Sequence, residues 1–382
     1  MGLDQALTFD PQLAARRRCN NRGVTTIRAG LRLIDPHIHQ WNPYVTPREI
    51  SLPAKLTRRI PALYRPVTKL VPKADREFIG DAQYVLAPYL PPDYLADTRA
   101  ATGVDVEAIV HIEAAWHGKG PLGPVGETEW IAGLPFGVGG APVLGAIVVR
   151  ADPTTAEISQ LLDAHLAASD LVRGVRCSGA HHDDPGVRSW TSRAGLLASS
   201  DFLRGFAEIA KRQLSFEAWI YSHQLADVAR LAQEYPQTTI VLDHYATPVG
   251  IFGPRGRSTG YTAADRADIL ARWRDDIAAV AALPNVVAKH SGLGMPVLGL
   301  PTPPPGSTVP REQLRDAMAP LVTYAAELFG VDRTLWASNF PIDKPNATLP
   351  MMAELLVEIL GPDADHDKLF RANAALIYRI AL

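Results

Sequence analysis

A chain of 382 residues, 47% hydrophobic and with a formal net charge of −2, is long enough to bury a large core, and its charge gives no reason to expect nucleic acid as a partner. Two cysteines, Cys19 and Cys177, do not make a disulfide scaffold and suit a reducing compartment. No apolar stretch approaches the roughly 20 residues that cross a bilayer, and the N-terminus reads as neither signal peptide, twin-arginine export signal nor myristoylation site, so the expected location is cytoplasmic, with no membrane partner.

Residues 1–30 read as a loosely attached arm and 31–382 as one domain. The first apolar run of that domain ends in DPHIHQW at 35–41. On a strand, the two-residue spacing of Asp35, His37 and His39 predicts one shared face, hence half of a metal site or an acid–base cluster. Residues 46–77 then carry eight Lys/Arg against three acids, together with several prolines. They read as an insertion over the mouth of the site.

Seven more β-type runs follow, at 107–115, 143–149, 172–177, 214–221, 238–242, 286–288 and 334–337. Nearly all end in polar or titratable residues: His111 and Glu113, Arg150, Arg176, Ser222 and His223, Asp243 and His244, Lys289 and His290, Ser338 and Asn339. Helical periodicity marks 155–168, 199–212, 224–234, 263–283, 311–329 and 351–360. Strand–helix alternation predicts a parallel sheet, and eight strands in about 300 residues favour a closed (β/α)8 TIM barrel, whose C-terminal rim carries its chemistry. A Pro/Gly-rich loop at 296–310, after the seventh strand, reads as part of the substrate pocket.

In order along the chain, DPHIHQW (35–41), VHIEA (110–114), RGVR (173–176), LDH (242–244), PNVVAKHSGL (284–293), WASNFP (336–341) and NA (373–374) make the chain resemble the amidohydrolase superfamily. The resemblance is to its lactonase-like branch, which includes 2-pyrone-4,6-dicarboxylate lactonase, L-fuconolactonase and 4-sulfomuconolactone hydrolase. It implies that His37 and His39 bind a divalent metal, zinc or manganese, or the substrate itself in metal-free members. Glu113, the carboxylate ending strand two, would complete a metal site or else pair with Arg176, and His223 sits where a strand-five ligand is often found, or is a plain helix N-terminal residue. His244 would contact substrate or metal. Arg176, suited to a bidentate carboxylate contact, would orient an anionic small-molecule substrate together with His290 and Trp41.

One departure stands out. The branch usually ends strand eight in Ser-Asp-Trp-Pro, with the Asp as general base. Here Asn339 stands in that place and cannot take a proton, so either Asp343 reaches back from four residues on or the base lies elsewhere. The leading expectation is a hydrolase opening a lactone or similar cyclic ester that bears a carboxylate. A decarboxylase or hydratase of the same superfamily, and a barrel that binds a small acid without turnover, are the alternatives. A homo-oligomer is compatible with the sequence.

Overall fold

The computed structural model describes residues 30–99, 104–304 and 306–381. The expected N-terminal arm and Cys19 lie outside these. Eight parallel strands follow one another around the sheet: β1 (Leu31–Ile38), β2 (Val104–Ile112), β3 (Val143–Arg150), β4 (Val172–Arg176), β5 (Ser215–Ala218), β6 (Ile240–Leu242), β7 (Val286–His290) and β8 (Thr334–Trp336). The residues after β8 bring it back to β1: His39 N donates to Phe340 O at 2.9 Å and Asn339 N to His37 O at 2.9 Å. The result is the nearly closed (β/α)8 TIM barrel that the alternation predicts.

Thirteen α-helices occur among the described residues. Five lie between β1 and β2: α1 (Ser51–Arg59), α2 (Tyr64–Leu70), α3 (Lys73–Ile79), α4 (Gln83–Leu86) and α5 (Pro91–Arg99). Of these, α1, α2 and most of α3 fall within residues 46–77, the segment expected to lie over the site. The barrel helices are α6 (Val125–Ala132), α7 (Ile158–Ala168), α8 (Ser200–Lys211), α9 (Leu225–Glu234), α10 (Ala263–Ala281), α11 (Arg311–Phe329) and α12 (Leu349–Leu360), with α13 (Asn373–Tyr378) at the C-terminal end. The periodic segments of the sequence fall on α7 to α12. The insertion helices escape periodicity because they are short and largely exposed.

Period-two alternation sorts the strands. Ile34, Val110, Ile112, Val148, Val241, Val287 and Leu335 form an inner cluster, closed by Ala374, Ala375 and Tyr378 of α13. Their strand neighbours Leu33, Ile109, Val149, Leu242 and Ala288 join the outer cluster with the helices. This parity decides which polar residues reach the barrel interior.

Candidate active site

The spacing at the end of β1 does not give one shared face. Ile34 points inward while Leu33 and Ile38 point outward, and the β1–β2 register shifts between Asp35 and Ile38. An extra residue in a strand flips every side chain beyond it. Asp35 therefore lies behind the site. Its carboxylate accepts from Ser338 N (3.0 Å), His37 N (3.3 Å) and the Tyr94 hydroxyl (2.8 Å), tying the ends of β1 and β8 to α5.

Below the rim, inward parity assembles a buried charge network. Glu217 on β5 takes an ion pair from Lys289 on β7 at 2.5 Å and a hydrogen bond from the Tyr378 hydroxyl. Lys289 Nζ also lies 3.4 Å from Asp243 and 3.1 Å from His37 Nδ1, which is itself 3.2 Å from Asp243. All five side chains have no measurable exposure. Burial lowers the pKa of His37 far below its usual value, and the Lys289 charge adds to this, so the ring is neutral. Burial acts to raise Asp243, but Lys289 and His37 outweigh it and hold the carboxyl well down.

Sequence reasoning named Asp243 and Lys289 at strand ends without giving either a role, and did not name Glu217. The signal was present: Lys289 and Asp243 each stand two residues after an inward valine, Val287 and Val241. Alternation, rather than the last residue of each run, is the better guide. It also places His290 on the outer face, bonded to the Tyr245 hydroxyl, so His290 does not join the expected substrate contacts.

Above this network lies a cavity of about 660 Å³, whose wall includes His39, Trp41, Glu113, Arg176, His244 and Asn339. The His37 ring centre is 5.0 Å from that of His39 and 4.7 Å from that of His244. His39 Nδ1 donates to Ile112 O at 2.9 Å, which leaves Nε2 with the lone pair. His244 Nδ1 meets Ser291 Oγ at 2.8 Å. Burial pushes His244 down to about 3 and His39 well below its ordinary value. His244 opens a run of left-handed residues through Thr247, and it fits only because residue 292 is glycine, where a Cβ would come within 2.4 Å of the ring.

Glu113 does not join a metal site. Its Oε1 takes Arg176 Nε at 2.8 Å and Nη2 at 2.7 Å, while Oε2 takes Ala115 N at 3.0 Å. Burial works to raise its carboxyl, but Arg176 wins and holds it at about 2. Arg176 in turn gives Nη2 to Glu113 O and retains Nη1, 3.9 Å from Asp243. His223 also falls outside: it is exposed after β5, its ring 5.1 Å from His182, while its neighbour Gln224 turns inward. Among the described residues of the 296–310 loop, none lines the cavity, although the preceding Met295 does. Arg255 holds that loop through Pro296 O and Leu300 O.

Asp343 does turn back toward β8, but it stops behind Asn339. Its Oδ1 accepts from Asn339 Nδ2 at 2.8 Å and its Oδ2 from Gly294 N at 3.1 Å; Asn339 lines the cavity and Asp343 does not. Burial pushes the Asp343 carboxyl up to about 7, against those two hydrogen bonds. A raised carboxyl favours the folded state at low pH and loses that contribution as pH rises from about 3.8 to about 7. Asp343→Asn should therefore gain thermal stability relative to the parent across that window, measured by melting curves at successive pH values. An unchanged difference would place the titration elsewhere.

His37, Asp243 and His244 offer donor atoms that all lie within 4.8 Å of one another, a grouping suited in outline to a divalent ion. Lys289 weighs against one there. Its ammonium already contacts two of the three, so a metal would sit beside a fixed positive charge. The donor set as folded does not fit a divalent metal.

The amidohydrolase family model matches residues 34–380. The chain is 29% identical over 350 residues to the uncharacterized protein y4mH of Sinorhizobium fredii, covering 91% of this chain and 98% of that one. It is 29% identical over 247 residues to an L-fucono-1,5-lactonase of Burkholderia ambifaria, covering 63% and 71% respectively. A crystal structure of an amidohydrolase from Burkholderia multivorans with bound HEPES shares the fold with a TM-score of 0.63 at 21% identity, covering 91% of this chain and 99% of that one. A zinc-bound crystal form, also from Burkholderia multivorans, gives 0.62 at 20% identity, with the same coverage. With eight parallel strands and a family match running from β1 to α13, the chain is a hydrolase-type enzyme that belongs to the amidohydrolase family.

Proposed function

We propose that this enzyme opens a lactone or similar cyclic ester bearing a carboxylate, using histidines and fixed cations. The observation that carries the reading is the cavity floor, where two neutral imidazoles, His39 and His244, stand beside Arg176. His39 Nε2, its tautomer set by Ile112 O, accepts a proton from the attacking water. Asn339, steadied by Asp343, presents its amide oxygen to that water. Arg176 Nη1 faces the charge that develops on the carbonyl oxygen. His244 Nε2–H hydrogen-bonds the departing ring oxygen while Ser291 donates to Nδ1, and the proton that His39 took from the water passes to that oxygen as the ring opens. His37, Asp243 and Lys289 hold the His39–His244 pair in place from below. The resemblance to a lactonase of 29% identity supports the substrate class. A lactone panel followed by proton release tests it; carbon dioxide release instead would favour a decarboxylase, and tight acid binding without turnover a binding barrel.

In this reading Lys289 supplies the cationic charge that a metal gives elsewhere. Dialysis against a chelator should change kcat by less than about twofold. Activity lost on chelation and restored by zinc or manganese would overturn the metal-free assignment. The reading takes the enzyme to be cytoplasmic, a compartment that suits two cysteines.

Asp343→Asn should lower kcat/KM by about 10-fold to 10²-fold by loosening Asn339. Asn339→Asp should also harm the enzyme, since a second carboxylate beside Asp343 raises the pKa of one of them. A gain of activity in Asn339→Asp would instead mark Asn339 as a lost base. The five excess positive charges of residues 46–77 should make kcat/KM on an anionic substrate fall as ionic strength passes about 0.1 M, where the Debye length is about 10 Å. A salt-independent rate would remove the steering role.

A further inference from the structure

The cavity is larger than the proposed reaction requires. At about 30 Å³ per water in the liquid, its 660 Å³ equals roughly 20 waters, more than one lactone ring fills. Its upper wall is an aromatic box. Phe78 of α3 lies 5.2 Å from Trp190 and 5.8 Å from Trp219, and the two indoles are 5.0 Å apart, all in edge-on geometry. The indole N–H groups of Trp190 and Trp219 are buried with no acceptor. Arg188 braces the box from behind, 4.1 Å over Trp190 and paired with Asp75 and Glu49.

Arg48, from the start of the insertion, also lines the cavity. Its guanidinium stacks on Trp41 at 4.9 Å and gives Nη1 to Ala114 O, while its Nε is buried without a partner. Among the described residues no carboxylate lies within ion-pair distance of Arg48 or of Arg150, the other unpaired arginine in the wall, whereas Arg176 and Arg188 are both neutralised. A half-buried guanidinium with no ion-pair partner is stabilised by an incoming anion.

We infer that the cavity takes an aryl-bearing carboxylate, with the carboxylate on Arg48 beside Arg150 and the aromatic body in the Phe78–Trp190–Trp219 box. This rests on the lactone reading for the reaction, and it makes the substrate an aryl-substituted lactone acid. Specificity then lies in the insertion and in the loops after β4 and β5, apart from the groups that move protons.

Unreactive probes test this without turnover, so the result is independent of the lactone panel. The full chain is titrated with 2-naphthoate, 2-naphthamide and acetate, read by calorimetry. Naphthoate should bind at least about 10-fold more tightly than either of the others. Arg48→Met should weaken naphthoate by at least about 10-fold and leave naphthamide within about twofold, while Trp190→Ala should weaken both. Naphthoate binding no better than acetate, or unchanged in Arg48→Met, overturns the inference. If a variant does not fold, the three-probe comparison on the parent protein decides alone.

Discussion

His39→Ala should lower kcat/KM on a cleaved lactone by at least about 10²-fold, the scale of a lost general base. His39 is the histidine in the cavity wall whose tautomer the fold dictates: Ile112 O can only accept, so Nδ1 must carry the proton and Nε2 the lone pair. His39→Gln should not restore the rate, because an amide cannot take the proton. His37→Ala should have a comparable effect by a different route. His37 does not line the cavity, and its loss removes the ring that packs against both His39 and His244. Melting temperature should move little in His39→Ala, since that side chain stands at the edge of a cavity. Near-parental turnover in His39→Ala would displace the active site.

Lys289→Met should destabilise the protein by about 3–5 kcal/mol, the range for breaking a buried ion pair from one side. The substitution strands Glu217 and Asp243 as two carboxylates without exposure. Glu217 is poised to respond, because burial already pushes its carboxyl up against the pull of Lys289. Adding Glu217→Gln should therefore recover a large part of the loss, a coupling that a double-mutant cycle measures as a fall and partial return of the melting temperature. Additive effects would show that the two residues do not act as a pair. If Lys289 stands where a metal would otherwise be held, Lys289→Met should also take up zinc during dialysis where the parent does not.

The barrel was legible because its strands and its longer helices carry strong periodic patterns, and α11 matches the sequence reading at both ends. The rim was legible because apolar runs stop at polar residues there. Three features were not. The register shift between Asp35 and Ile38 depends on pairing with β2, which no local pattern encodes. The choice between the two roles open to Glu113 was not, because a carboxylate at a strand end looks alike whether it meets a metal or, as here, Arg176 from 63 residues on. Asp343 was expected to reach the site through the turn after Pro341. The turn does form, with Asp343 N donating to Asn339 O at 3.2 Å, but it delivers the carboxylate behind Asn339 instead of beside the substrate.

The Tyr378 hydroxyl, at the end of α13, bonds Glu217, and through Lys289 and His37 that contact reaches the histidines of the opposite rim. The last helix is thus connected to the candidate site from the far end of the barrel. If the proposed reaction holds, Tyr378→Phe should change the electrostatics under His39 and His244 without touching the cavity, which would make the end of α13 a remote tuning point for the chemistry.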